Sequence, residues 1–130
     1  MKTSMNPKRD RSKWGSGGWD GEPDFAEWTD DATGLSCCAK RNMMGAWCGY
    51  VDVPKDHPLH GKRYQEWPDL DCHGGLTYTE ANEDGTWRFG FDCSHWGDFV
   101  PSMFQFGTYR TLDYVVAQCA ELAKQIAEAK

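Results

Sequence analysis

Four residues within 71–98 carry side chains suited to proton transfer or polar-ligand capture: His73, Asp92, His95 and Asp98. A histidine held beside a carboxylate moves protons near neutral pH, because an unperturbed imidazole titrates at about 6.5. His73 and Asp92 are the first candidates for such a pair and His95 the third. A phosphodiester hydrolase can work with this equipment. No nucleophile system accompanies it, since the chain has neither Gly-x-Ser-x-Gly nor a two-histidine phosphoesterase repeat. The competing reading makes His73 and Asp92 a hydrogen-bonded structural pair beside a turn.

The same stretch can bind without turnover. His73-Gly74-Gly75 offers backbone at a point where no side chain blocks approach. Thr77 and Asp92 add hydrogen-bonding groups, and Asp92 or Asp98 suits ribose hydroxyls. Lys62 and Arg63, with Arg88, suit phosphates, and an aromatic ring from the 54–68 loop can stack on a base or sugar.

Metal binding is the third chemistry. Cys72-His73 and Cys93-x-His95 supply zinc-type donors, with Cys93 and His95 the candidates. Neighbouring strand residues point to opposite faces, so Cys72 and His73 do not enter one site without a bulge, and Cys-x-x-Cys spacing is absent. The expectation is therefore no cofactor, with a structural zinc as the exception.

These groups need a frame. Asp84-Gly85 lies between two strand-like runs and predicts a two-residue hairpin turn. That turn pairs Glu83 with Thr86 and Tyr78 with Phe91. It sets Leu76, Tyr78, Phe89, Phe91 and Cys93 on one face, and His73, Thr77, Asp92 and Ser94 on the other. A slip of one residue would bring Thr79 among the phenylalanines, so burial favours the first register.

Ahead of the hairpin, Phe25–Thr29, 35–41 and 46–53 read as three strands of a meander with short connections. Gly49 inside the third marks a bulge or a close approach. The 54–68 segment is a long connection, either plugging Leu59, Tyr64 and Trp67 into the core or acting as a lid. The 97–107 segment is irregular and apolar. Leu112, Val115, Val116, Cys119, Leu122, Ala123 and Ile126 then recur at helical spacing over 111–128, with Thr111 as N-cap and Asp113 in the first turn. The predicted fold is α+β: an antiparallel sheet of about five strands, meander plus hairpin, covered on one face by the C-terminal helix. Residues 1–21, basic and glycine-rich, are expected to be a flexible tail whose Trp14 and Trp19 can anchor an acidic partner, and 22–130 a single domain.

Seven Trp, six Phe and five Tyr point to an aromatic-rich core or pocket. A net charge of −6 argues against direct nucleic-acid binding and leaves association with a second copy of the chain open. The six cysteines follow no disulfide pattern, residues 1–20 hold no secretory apolar run, and no stretch is long enough to span a membrane. Reduced thiols in a cytoplasmic protein are expected.

Three strings carry a resemblance: Gly45-Ala46-Trp47-Cys48-Gly49-Tyr50-Val51, His73-Gly74-Gly75-Leu76-Thr77-Tyr78, and Phe89-Gly90-Phe91-Asp92-Cys93-x-His95-x-Gly97-Asp98. With Trp19-Asp20-x-Glu22-Pro23-Asp24 ahead of them, they resemble a group of small uncharacterised proteins of tailed bacteriophages and prophages. The likeness runs from about Trp19 to Ile126. It implies a phage origin and the host bacterial cytosol as workplace, and names no reaction. The expected function is binding of a polar, phosphate-bearing small molecule such as a nucleotide signal, sequestered against host defence. A phosphodiester hydrolase using a His/Asp pair is the alternative, and an acidic inhibitor of a host protein a further one.

Overall fold

Strict alternation in Trp47–Val53 sends Trp47, Gly49, Val51 and Val53 to one side, where all are buried, and Cys48, Tyr50 and Asp52 to the other. In the computed structural model, which describes residues 1–66, 69–103 and 106–129, this segment is a central strand. The strands in chain order are β1 (Lys2–Ser4), β2 (Phe25–Thr29), β3 (Ser36–Arg41), β4 (Trp47–Val53), β5 (Tyr78–Ala81) and β6 (Trp87–Asp92), followed by the helix α1 (Leu112–Glu128). They form one antiparallel sheet in the order β1-β2-β3-β4-β6-β5. The expected α+β architecture is present, with six strands where about five were predicted.

Helix α1 starts as its sequence predicts: the Thr111 hydroxyl accepts from the Tyr114 amide at 3.1 Å, and Asp113 lies in the first turn. It packs on β4 and β3 through Leu112, Val115, Cys119, Leu122, Ala123 and Ile126, all buried. Gly49 permits that closeness. A Cβ there would collide with the Phe91 ring and stand 3.0 Å from Cys119 Sγ. The β3–β4 register runs unbroken through Gly49, so of the two expectations it is the close approach that holds.

The hairpin differs from the predicted one. Its strands pair Tyr78 with Gly90 and Thr79 with Phe89, a slip of one residue. The turn is a three-residue loop, closed by Asn82 N to Thr86 O (2.9 Å) and Gly85 N to Asn82 O (3.0 Å), with Gly85 at φ +90°. A two-residue type I′ turn needs positive φ at Asp84 as well, and among the described residues only glycines have it. Thr79 is therefore buried beside Phe89, its hydroxyl satisfied by the Tyr64 amide at 3.3 Å, and Tyr78 turns to the other face.

Residues 1–21, expected as a tail, are packed. β1 pairs with β2, and Trp14 and Trp19 are buried. Arg11 and Arg41 lie over the Trp14 ring at 5.0 and 5.3 Å. The Asp24 carboxylate takes Arg11 at 2.6 Å, the Asn6 amide at 2.8 Å and Arg41 Nε at 3.2 Å. The Arg41 side chain is wholly buried, stacked on Trp47 at 4.2 Å, and bonds Glu22, Tyr109 and the carbonyls of Pro23 and Gly45. Glu22 in turn accepts from the Tyr109 hydroxyl (2.6 Å), the Trp47 indole (3.2 Å) and the Leu112 amide (2.7 Å) at the start of α1.

The 54–66 segment contributes Leu59 to the core, and its Lys62 carbonyl accepts from the Trp87 indole at 2.9 Å. Tyr64 is half-buried, while Trp67, expected to plug the core, lies outside the described residues. From 97–107, Val100 and Pro101 are buried. All six cysteines are free thiols, and burial pushes Cys48 up to about 11 and Cys37 and Cys72 up to about 12. Among the described residues no helix is long and apolar enough to cross a membrane.

Candidate functional site

Segment 71–75 reaches its place through two glutamines on one stripe of α1. Gln125 accepts from the Asp71 amide (2.7 Å) and donates to the Asp71 carbonyl (2.8 Å), and Gln118 accepts from the His73 amide (2.8 Å). The spacing of seven residues puts both on the same helix face. The His73 ring is thereby aimed between Tyr114 and Asp98. Its Nδ1 lies 2.8 Å from the Tyr114 hydroxyl and its Nε2 2.8 Å from Asp98 Oδ2. An ionised carboxylate only accepts, so Nε2 carries the proton.

Asp98 is the hub of this cluster. Its side chain is 1% exposed, and it also takes Arg110 Nε at 2.9 Å and the His95 amide at 3.0 Å. Burial raises its carboxyl, but the hydrogen bonds from His73, Arg110 and the His95 amide outweigh that and hold it below the ordinary carboxylate range. The sequence-based pairing of His73 with Asp92 is therefore corrected: His73 pairs with Asp98. With both ring nitrogens engaged, His73 has no lone pair for a substrate.

Asp92 stands on the opposite, uncovered face of the sheet. Its Oδ1 accepts from the Ser94 amide (3.1 Å) and hydroxyl (2.8 Å), and Oδ2 accepts from the Thr77 hydroxyl (3.1 Å). Burial raises this carboxyl too, and the Ser94 and Thr77 bonds with the nearby His95 outweigh it, leaving it lowered. His95 Nε2 lies 3.2 Å from Asp92 Oδ1, close enough for an ion pair but without hydrogen-bond alignment, so this buried atom has no hydrogen-bond partner. The imidazole rests on Gly74, where a Cβ would collide with the ring and where φ is +69°. Only glycine meets both demands. Gly75, at φ +81°, closes the turn by donating to the Cys72 carbonyl at 2.9 Å.

Thr77, Asp92, Ser94 and the rings of Tyr50 and Tyr78 surround a hollow of about 290 Å³ on the uncovered face, with Asn42, Cys48 and Phe91. Tyr50 and Tyr78 meet edge to face at 5.5 Å across Gly90, whose missing side chain makes room for the Tyr50 ring. The hollow has two aromatic walls and a carboxylate at one end.

Other expected members lie elsewhere. Lys62 and Arg63 belong to the loop at the Trp87 end of β6, five residues and about 17 Å from Asp92. Cys93 points into the core, as its place in the alternation predicts, and burial raises its thiol. Among the described residues no three His, Cys, Asp or Glu side chains converge to hold a metal ion. Sequence reading missed Tyr114 as a partner of His73 and Arg110 as a partner of Asp98. The Arg110 guanidinium lies 5.0 Å over the Tyr114 ring. It also assigned Tyr78 to the apolar face. The Asp92-x-Ser94 spacing was a legible sign of a side chain bonding its own backbone two residues on.

No protein-family model matches the chain, and comparison with curated proteins and with solved structures found no match.

Proposed function

We propose that this chain binds a small polar ligand bearing a planar ring and neighbouring hydroxyl groups, of the nucleoside or nucleotide type, in the hollow between Tyr50, Tyr78 and Asp92. The carrying observation is the Asp92 carboxylate at the edge of two aromatic rings. Oδ2 receives one hydrogen bond, from Thr77, and a carboxylate oxygen accepts about two, so it retains capacity for a ligand hydroxyl. The tyrosine rings supply apolar area for a base or sugar. A volume of about 290 Å³ suits one ring system with its sugar. Joined to the phage resemblance, such binding would serve to sequester a host nucleotide signal in the bacterial cytosol.

The test is Asp92→Asn, read by calorimetric titration with nucleosides, by melting and by turnover. Loss of a charged hydrogen bond should weaken binding by about 1–3 kcal/mol, with a smaller fall in melting temperature, since the amide oxygen of Asn can still accept from Ser94 but the charge is gone. A large melting loss with unaltered affinity would overturn the assignment. One observation favours a second reading. His95 Nε2 beside Asp92 has the makings of a general base, and a phosphodiester hydrolase would show as a mutant that binds without turning over.

A further inference from the structure

The hollow assigned above adjoins a second one on the same uncovered face. This neighbour, of about 370 Å³, is lined by Phe25, Ser36, Cys38, Lys40, Asp52 and Arg88 among others. The two are contiguous through the β3–β4 pairing: Lys40 faces Cys48, and Cys38 faces Tyr50. Cross-strand partners lie about 5 Å apart, so a lining residue of one hollow stands directly beside a lining residue of the other.

Two cations border this second space, and they differ. Arg88 is committed to Asp52 by a two-point bond, Nε to Oδ1 at 2.8 Å and Nη2 to Oδ2 at 2.9 Å, so each neutralises the other. Lys40 is exposed, with its Nζ 5.9 Å from the centre of the Tyr50 ring. None of the ion pairs among the described residues includes it. Glu27, the other carboxylate of this hollow, is at 3.7 Å from Lys2 on β1. The uncovered face thus offers aromatic walls and an acceptor at one end, and one uncommitted ammonium group a strand away.

Resting on the nucleoside reading of the first hollow, we infer that Lys40 is the anion-binding residue of this site. The ligand is then a nucleoside phosphate, with base and sugar between Tyr50, Tyr78 and Asp92, and with the phosphate laid over Tyr50 against Lys40. This is the cation that Lys62 and Arg63, at the far end of β6, do not supply. A lysine acts here as a movable point charge, which serves a phosphate approaching from solvent.

Isothermal titration of the full chain with adenosine and with adenosine 5′-monophosphate tests this in wild type, Lys40→Ala and Lys40→Arg. The monophosphate should bind about tenfold more tightly than the nucleoside, as one charge-assisted bond is expected to yield. Lys40→Ala should erase that gap without moving adenosine, and Lys40→Arg should keep most of it. Raising the ionic strength should narrow the gap in wild type and leave Lys40→Ala unchanged. Lys40 is exposed, so the variants should melt with wild type, and their melting is recorded alongside. If adenosine binds and the phosphate adds nothing, or if Lys40→Ala leaves the gap intact or weakens both ligands equally, the inference is overturned while the hollow stands. If neither compound binds wild type, the nucleoside reading of the hollow falls, and this inference with it.

Discussion

His73 and His95 lie with ring centres 6.0 Å apart and have opposite surroundings. His73 is locked between Tyr114 and Asp98, and His95 lies over Gly74 with one nitrogen near Asp92 and no aligned hydrogen bond. The first is a strut, the second a group with spare capacity. Removing the strut should be costly, because Asp98 would keep a buried charge with one donor fewer. His73→Ala should lower stability by about 1–3 kcal/mol, measured by denaturant unfolding, and leave nucleoside affinity at the Asp92 hollow unchanged. An unaltered unfolding midpoint would remove His73 from the frame. Residue types were legible here, and partners were not. His73, Asp92, His95 and Asp98 were all identifiable as a group with chemistry, but which histidine faces which carboxylate depends on the 71–75 turn and on Gln118 and Gln125 of α1. Nothing in the local sequence joins His73 to a helix 41 residues away.

At the scale of elements, periodic patterns translated well into structure and turn geometry did not. The apolar stripe and Thr111 cap placed α1 to within a residue, since every buried helix position recurs on one face. In the hairpin, Asp84-Gly85 satisfied two turn types, and the choice between them is one residue of register. The burial criterion failed because Thr79 is tolerated in the core once the Tyr64 amide satisfies its hydroxyl. That partner sits in a loop whose path has no periodic signal. α1 carries most of the face it covers, so its central contact makes a direct test. Leu122, fully buried on the helix that packs over β4 and β3, becomes an unpartnered buried charge in Leu122→Asp, and the cooperative thermal transition should be lost. Retention of a wild-type transition by circular dichroism would show that the helix is dispensable.

Across the whole molecule, stability is tied to carboxylates in two separate clusters. Burial raises Asp24, Asp92 and Asp98, but in each case hydrogen bonds or nearby cations outweigh it and leave the folded value lowered. For a depressed acid, the stabilising contribution is complete above the unfolded value of about 3.9 and is lost as pH falls through the lower folded value. These three groups should therefore leave the melting temperature level from neutral pH to about 5 and reduce it steeply below about 4. A melting temperature unchanged down to pH 3 would contradict this. The N-terminal region was the least legible part of the chain. Its glycines and lysines read as a tail, yet Arg11 and Trp14 find their partners in Asp24 and Arg41, and such long-range pairing leaves no mark on composition. Glu22 carries this furthest, since it caps a helix that begins 90 residues later. Closing a loop of that length costs about 2 kcal/mol more entropy than closing one of ten residues, a roughly thirtyfold slower search. The β2–β3–β4 meander, with its short connections, can pair early. Arg41 finds both of its carboxylates, Asp24 and Glu22, within nineteen residues, while its bond to the Tyr109 hydroxyl and the bond of the Leu112 amide to Glu22 form only when the start of the helix arrives. By loop-closure entropy, the seam between the sheet and the helix, held by Glu22, should close late in folding and open early in unfolding.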